Sequence, residues 1–238
     1  MKKLLLLALF LLLLTAPFYL PNILHSNEGE SVAVGTPRKG SLENAYQIDF
    51  FNKNYRFFSW ISYFFMDNGF LHSKLYQSVV DSYAECETTC PDIDFRIMEC
   101  SNTEGGPMYL HKSHRNGMSI DFMTPLTRDG KPYTLYDHLG LWHYFLEFDA
   151  DGRLSFDKEV SIDFETMAKH IIALDNATRK NGLRIRIVIL KINLKAAFFK
   201  TPSGQEVKRR NIYFARKLDP FVDSMHDDHY HIDFTVLI

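Results

Sequence analysis

Two short stretches of the chain, separated by more than a hundred positions, concentrate histidine and aspartate. The first reads HKSHRNGMSID over residues 111–121, and the second reads HDDHYH over residues 226–231. Together they contain five of the ten histidines in the chain and three aspartates. Imidazole nitrogens and carboxylate oxygens are ligands of catalytic zinc. This concentration of residue types therefore predicts a catalytic metal site.

The alternation of apolar and polar residues indicates that both stretches lead into strands. Apolar residues occupy every second position of 230–236, so His229 and His231 point from the same face of a half-buried strand. In the first stretch Gly117 permits a turn, and the alternation after it predicts a second strand with one apolar face. Asp121 points from the opposite face of that strand.

The spacing also indicates how three ligands can meet. His114 lies just ahead of the turn and seven positions before Asp121, so the chain can fold its ring back beside the carboxylate. If the two strands share a sheet, His114, Asp121 and one of the paired histidines converge on one ion. Three protein ligands with a fourth position for water are typical of catalytic zinc. Such a site hydrolyses amides without a nucleophilic side chain.

The remaining histidines have roles available to them in this chemistry. His229 could donate to the oxyanion of a tetrahedral intermediate or exchange protons with the attacking water. His226 and His111 are candidates for the same tasks, or for orienting the ligands. A single histidine at one of these positions would be an ordinary surface or core residue. The combined spacing of both stretches favours the metal site.

The two histidine-rich stretches, residues 111–121 and 226–231, resemble the motifs of the zinc peptidase superfamily that groups lysostaphin, D-alanyl-D-alanine carboxypeptidases and the amino-terminal domain of hedgehog. Within that superfamily the chain is most similar to the penicillin-insensitive murein endopeptidases. Those proteins carry a further histidine three positions before the first ligand, matched by His111, and an HDDH run that leads to the last ligand, matched by 226–231. The positions that match the wider superfamily are His114, Gly117, Ser119, Asp121, His229 and His231.

The resemblance implies zinc ligands at His114, Asp121 and His231, with His229 as a catalytic histidine beside one zinc ion. Many relatives place a glutamate as general base where this chain has His226, and the murein endopeptidases also have a histidine there. The arginine that commonly follows the last ligand in those endopeptidases is replaced by Asp233. The catalytic residues expected on this basis are His229, His226 and His111.

The expected function is that of a zinc-dependent metallopeptidase that hydrolyses D-amino-acid-containing peptide cross-links of peptidoglycan. A D,D- or L,D-carboxypeptidase acting on stem peptides is one alternative. It would need a cationic residue to hold a terminal carboxylate, and the sequence assigns neither Arg115 nor Arg153 to that role. A non-catalytic zinc-binding module of the same fold is the other alternative, and the additional histidines argue against it.

The amino terminus joins a basic pair, Lys2 and Lys3, to an apolar run that extends toward Leu20. This pattern is typical of an export signal, either a cleaved signal peptide or an uncleaved membrane anchor. We expect the signal or anchor at residues 1–20 and a polar tether at 21–40. A single zinc peptidase domain at 41–238 is expected to follow, with its motifs within about 101–238. The domain would lie outside the cytoplasm, in the periplasm or anchored to the membrane, with a peptidoglycan peptide as its partner.

Composition is compatible with this function. Lys and Arg total 27 and Asp and Glu total 29, so no basic field favours nucleic-acid binding. The three cysteines lie close together, and in an exported chain we expect one disulfide, between Cys100 and either Cys86 or Cys90.

The elements that must position the motifs follow from local patterns. Helices are expected after Ser73, which is a possible cap, and between Asp163 and Gly182, with a strong strand directly after the second helix. The segment 141–157 reads as a hairpin that turns at Asp151 and Gly152. The predicted fold class is α+β, with an antiparallel sheet that packs helices on one face and carries the zinc site on the other.

Overall fold

The computed structural model of the chain describes residues 1–109 and 111–237, apart from the side chain of Ala8. In chain order its helices are α1 (Lys2–Leu24), α2 (Trp60–Phe65), α3 (Ser73–Thr89), α4 (Phe164–Lys180), α5 (Lys195–Phe198), α6 (Pro202–Arg209) and α7 (Pro220–Ser224). Its strands are β1 (Val32–Thr36), β2 (Lys39–Glu43), β3 (Tyr46–Gln47), β4 (Tyr55–Phe57), β5 (Phe70–Leu71), β6 (Phe95–Ile97), β7 (Ser119–Met123), β8 (Leu126–Arg128), β9 (Lys131–Pro132), β10 (Val160–Ile162), β11 (Leu183–Ile189) and β12 (His229–Val236).

The central sheet of the described residues has five strands in the order β11-β12-β7-β6-β4. The pairs from β11 to β6 are antiparallel, but β4 runs parallel to β6. The prediction of an α+β fold is confirmed, whereas the prediction of a purely antiparallel sheet is wrong. The reason lies in the connection between β4 and β6, because α2, β5 and α3 form a long crossover that brings the chain back in the same direction.

The helices α3 and α4 pack together and cover one face of this sheet. The face is apolar because Tyr230 and Ile232 of β12 lie opposite Phe122 and Ile120 of β7, and all four are fully buried. From α4, the His170 ring packs edge-on with Phe122, at 4.8 Å between ring centroids. The opposite face of the same strands carries the pairs His231 with Asp121 and Asp233 with Ser119.

The two predicted long helices are confirmed. Asp163 caps α4, since its carboxylate accepts a hydrogen bond from the backbone N–H of Thr166 at 3.0 Å. The chain leaves α4 through Gly182, which has a φ of 76°. The cap of α3 is His72 rather than Ser73, because the Nδ1 atom of His72 accepts from the backbone N–H of Lys74.

The predicted hairpin at 141–157 is only half correct. Its turn forms at the expected place, and the bridge between Phe148 and Leu154 closes it. The first half is a 3-10 helix, Gly140–Phe145, instead of a strand. This helix buries the His143 ring, whose nitrogens lie 3.2 and 3.3 Å from the carbonyl oxygens of Tyr136 and Asp228.

The segment 21–40, predicted as a polar tether, is ordered into regular structure. It contains the last turn of α1 and then the β1–β2 hairpin, in which Val32 pairs with Glu43. Gly35 pairs with Gly40 close to the turn of this hairpin and has a φ of 73°. The β1–β2 pairing satisfies backbone groups that a free tether would leave to water.

The cysteines are three buried free thiols, so the expected disulfide from Cys100 is not formed. Cys86 lies in the last turn of α3 and Cys90 is the residue that caps its carboxyl end, whereas Cys100 follows β6. The neighbouring Cys86 thiol lowers the pKa of Cys90, and burial opposes this shift.

Candidate metal centre

The candidate metal centre is built on the polar face of β7 and β12. These strands are neighbours, and their register places His231 directly opposite Asp121, two positions from the pair of Asp233 and Ser119. Side chains directly opposite one another on a sheet lie within contact distance. The register therefore brings together residues that are 110 positions apart in the chain.

His114 reaches this face from the turn that precedes β7. Its backbone has a φ of 66°, a left-handed conformation that a non-glycine residue rarely adopts, and Gly117 follows with a φ of 72°. Ser101 holds the turn, since its hydroxyl donates to the carbonyl oxygen of His114 and accepts from the backbone N–H of Gly117 at 2.8 Å. The turn delivers a fully buried imidazole ring to Asp121.

His111, His114 and Asp121 form a group that could hold one metal ion. Each offers one ligand atom, and these atoms lie within 4.8 Å of one another. The Nε2 atom of His114 lies 3.2 Å from Oδ2 of Asp121, and Nδ1 of His111 lies 3.8 Å from the same oxygen. Neither ring nitrogen of His114 has a hydrogen-bond partner among the described residues. Because an unpaired buried polar atom costs free energy, a bound cation would satisfy this ring.

His231 joins the centre through Asp121. Its Nδ1 atom lies 2.7 Å from Oδ1 of Asp121, and its Nε2 atom lies 2.8 Å from Oδ1 of Asp233. Burial by itself would lower the pKa of His231, but the attraction of Asp233 and Asp121 outweighs burial and raises the pKa to about 10. Asp233 is fixed in turn by the Ser119 hydroxyl and by an ion pair with Arg186.

His229 lies beside the centre and is oriented by its own neighbour in the chain. Oδ1 of Asp228 lies 2.7 Å from Nδ1 of His229, and both side chains are buried. Burial lowers the pKa of His229, but the Asp228 carboxylate outweighs it, and the net shift is upward. The edge of the Tyr144 ring packs against the imidazole at 5.5 Å between centroids. Because Asp228 occupies Nδ1, the Nε2 atom is the one available for chemistry.

His226 and His111 are the other two predicted catalytic histidines, and within the described part of the chain neither ring is bonded to a carboxylate as that of His229 is. The Nδ1 atom of His226 lies 2.5 Å from the carbonyl oxygen of Val222, and its ring lies 4.7 Å from that of His229. Burial, followed by the charge of neighbouring histidines, lowers the pKa values of His226 and His111 to about 3. Both rings are therefore neutral near pH 7 and can bind a cation or make hydrogen bonds. The structure thus gathers all six predicted site residues around one centre.

No protein-family model matches the chain, and the comparison with curated proteins gives no match. The resemblance to murein endopeptidases therefore rests on the residues of the two motifs.

Several residues that contact the centre were not expected from the sequence. Asp228 could have been found, because it is the residue before His229 within the HDDH run. Glu99 has no local signal, since only the pairing of β6 with β7 brings its backbone against Asp121. The Ser62 hydroxyl donates to the Glu99 carboxylate at 2.8 Å, and burial raises the pKa of Glu99 to about 7.

A cleft of about 610 Å³ adjoins the centre at Asp233. The hairpin turn at 35–38 forms one wall, and the ends of β11 and β12 form the other. Arg186 lines the cleft from a β-bulge between Ile185 and Ile187, where the register of β11 against β12 shifts. Bulges redirect side chains, and this one directs Arg186 toward Asp233.

Proposed function

We propose that the chain is a zinc-dependent metallopeptidase of the murein endopeptidase type, which hydrolyses D-amino-acid-containing peptide cross-links of peptidoglycan. One observation carries the proposal. His114, Asp121 and His231, from two motifs far apart in the chain, contact one another on one buried face, and the His114 ring has no hydrogen-bond partner in the part of the chain that the structure describes. The substrate in this proposal comes from the resemblance of the motifs.

We propose His114, Asp121 and His231 as the zinc ligands, on the face of the sheet opposite α3 and α4. The atoms that lie closest as a group include His111 in place of His231. We favour His231 because Asp233 holds its Nε2 atom, and metal-binding histidines commonly bond a carboxylate through their second nitrogen. Among residues 1–109 and 111–237, no second carboxylate bonds the His111 ring, and its side chain is 21% exposed.

The donor set fits zinc better than other common ions. Two imidazoles with one carboxylate suit zinc, whereas Mg²⁺ and Ca²⁺ prefer oxygen ligands alone. Bound zinc would supply a Lewis acid for the scissile carbonyl and would lower the pKa of water toward neutrality. Loading requires loss of the proton that the two aspartates favour on His231, so zinc affinity should rise with pH.

The side chains around the ligands support a hydrolytic role. Asp228 holds the Nδ1–H of His229, which leaves Nε2 free to accept a proton from water and to return it to the leaving amine. The neutral rings of His226 and His111 can orient the water or the substrate through hydrogen bonds. A site that only bound metal would need no oriented and buried Asp228–His229 pair, so the pair argues against a non-catalytic module.

The cleft beside Asp233 is where we place the peptide substrate. Its walls present the backbone of the β1–β2 hairpin and of β11, and an extended peptide can pair with an exposed strand edge. The edge of β11 is open only ahead of Val188, which already pairs with residues 213–215. Asp233 lines the cleft and contacts His231, so the cleft lies one residue away from the proposed ligands, none of which is among its lining residues.

A D,D- or L,D-carboxypeptidase is the second candidate, and one observation favours it. Arg38 and Arg186 both line the cleft and are both exposed. Either guanidinium could hold a terminal carboxylate, a contact that an endopeptidase does not require. The sequence alone did not single out these two arginines.

The location that suits this substrate is outside the cytoplasm. The helix α1 is long and apolar enough to cross a membrane, which is compatible with a signal or an anchor. Lys2 and Lys3 precede the apolar run, and basic residues are retained on the cytoplasmic side. We propose that the domain is exported to the periplasm.

Metal analysis and digestion of purified muropeptides test the proposal. The full chain should bind one zinc ion and convert cross-linked dimers into monomers, and chelation should abolish the conversion. Removal of only a terminal residue from uncross-linked peptides would support the carboxypeptidase. Zinc binding without turnover of either substrate would contradict both enzyme assignments.

A further inference from the structure

The end of α1 is joined to the domain through polar contacts. Asn22 is 5% exposed, and its side-chain amide donates to the carbonyl oxygen of Phe64 at 3.2 Å. The amide of Gln47 donates to the side-chain oxygen of Asn22 at 3.3 Å. One residue past α1, the ring of His25 packs edge-on against Phe70, and its Nε2 atom lies 3.0 Å from the carbonyl oxygen of Ala45. These contacts set the domain directly against the last turn of α1.

The part of α1 before the domain is a short apolar span. Residues 4–24 contain no Asp, Glu, Lys or Arg, and the 15 helical residues 4–18 extend about 22 Å. A span shorter than the hydrocarbon core of about 30 Å is accommodated by local thinning of the bilayer and by extension of Lys2 and Lys3 toward the headgroups. The apolar part of the helix contacts nothing that would bury it among the described residues. Because the domain is attached at Asn22, α2 lies at the depth where α1 would leave the membrane.

An aromatic ridge continues from α1 onto the domain at this depth. We define the ridge as Tyr19 of α1 with Trp60, Ile61 and Phe65 of α2. The ring of Tyr19 lies 5.8 Å from that of Phe65, and the ring of Phe65 lies 5.7 Å from that of Trp60. Trp60 is 58% exposed, and the sequence 57–66 carries no charge.

We propose that α1 is retained as a membrane anchor and that the aromatic ridge lies in the headgroup region of the same bilayer. Tryptophan and tyrosine are enriched at that depth, because their rings combine an apolar body with a polar group. The ridge is continuous with a helix whose apolar surface needs lipid, and this continuity favours a bilayer over a second protein as the occupant. The metal centre would then be held close to the membrane surface.

Tryptophan fluorescence provides a direct test, because Trp60 and Trp142 are the only two tryptophans in the chain. In the full chain carrying Trp142→Phe, Trp60 is the sole tryptophan fluorophore. The chain would be reconstituted in phosphatidylcholine and phosphatidylglycerol vesicles, with or without lipids brominated near the headgroup. Brominated lipids should reduce the emission at least about twofold, and aqueous acrylamide should quench it less than in the detergent-solubilised chain.

Two results would overturn the proposal. Emission that responds to acrylamide and not to brominated lipids would show that the domain stands away from the bilayer. Emission shielded from both quenchers, in a chain that sediments as a dimer, would assign the ridge to a second copy. Retention is tested by the mass of the chain recovered from membranes of an expressing bacterium, where loss of the amino-terminal residues would also contradict the anchor. None of these readouts depends on zinc or peptidase activity.

Discussion

His231 is held between two carboxylates, and this position decides how it can serve as a ligand. Asp233 engages Nε2, so only Nδ1 faces Asp121 and the centre. His111 competes for the same role because it lies within ligand distance of His114 and Asp121. Substitution distinguishes the two histidines, because removal of a metal ligand lowers zinc affinity more than removal of a residue beside the ligands.

Alanine variants of His231 and His111 measure this difference in zinc affinity. We expect His231→Ala to lower zinc affinity by more than about 100-fold and His111→Ala by no more than about tenfold. The exposed residue His138 supplies the matched control, since His138→Ala should leave affinity unchanged. Zinc affinity would be measured by competition with a chelator. If His111→Ala lost zinc and His231→Ala kept it, the third ligand would be His111.

In the proposed reaction Asp228 is a positioning residue, since it would act through His229. In Asp228→Asn the side chain keeps its size but no longer holds the Nδ1–H of His229 as a carboxylate does. We expect kcat on muropeptide dimers to fall about 100-fold or more, within the range of general acid–base catalysis, with KM and zinc content unchanged. His229→Ala should have the same pattern with a larger loss. Loss of zinc from Asp228→Asn would show that the residue supports the metal instead.

At the scale of elements, the turn before β7 determines whether His114 reaches the centre. Gly117 has a φ of 72°, and a Cβ atom there would lie 2.7 Å from a methyl carbon of Leu42 and 2.8 Å from the backbone nitrogen of His72. The backbone atom cannot move aside without displacing the start of α3, so this turn tolerates only glycine.

Gly117→Ala should therefore destabilise the fold by about 2 to 4 kcal/mol, from the left-handed conformation and the close contact together. Gly130 is the matched control, because it has a φ of 71° but nothing lies within 4 Å of its Cβ position. Gly130→Ala should cost only about 1 to 2 kcal/mol. Urea denaturation gives both values. Equal losses in the two variants would contradict the proposed contact.

At the scale of the whole molecule, stability depends on the layer of helices packed on the sheet, and His170 lies at its centre. The ring is fully buried between α4 and the sheet, and its Nδ1 atom lies 2.6 Å from the Tyr230 hydroxyl. Tyr83 of α3 stacks on it at 4.6 Å between centroids. Burial lowers the pKa of His170 to about 3.

This buried histidine makes the fold sensitive to acid. The unfolded chain protonates His170 near pH 6.5, whereas the folded chain keeps it neutral to about pH 3. Stability is therefore fully present above pH 6.5 and falls as the pH drops toward 3. Between pH 6.5 and 5.0 His170 should account for a loss of about 2 kcal/mol. Denaturation at both pH values should show a smaller loss in His170→Gln, and an unchanged loss would contradict the assignment.

The sequence by itself determined the parts of this protein that depend on local pattern. The apolar period of 230–236 predicted β12 and the shared face of His229 and His231, because successive side chains on a strand point to opposite faces. The helical period and the Asp163 cap predicted α4. The proximity of His114 to Asp121 also followed from the sequence, because only a short turn separates them.

Only the tertiary structure decided which strands are neighbours and in what register. The register of β7 against β12 sets His231 opposite Asp121, and the pairing of β6 with β7 brings Glu99 to the same centre. The bulge that directs Arg186 and the parallel pairing of β4 also depend on strands that are distant in the sequence. Hydrogen bonds between strands form at almost any register, and the burial of a whole face selects one of them. That selection depends on α3, α4 and the sheet together, so no single segment contains it.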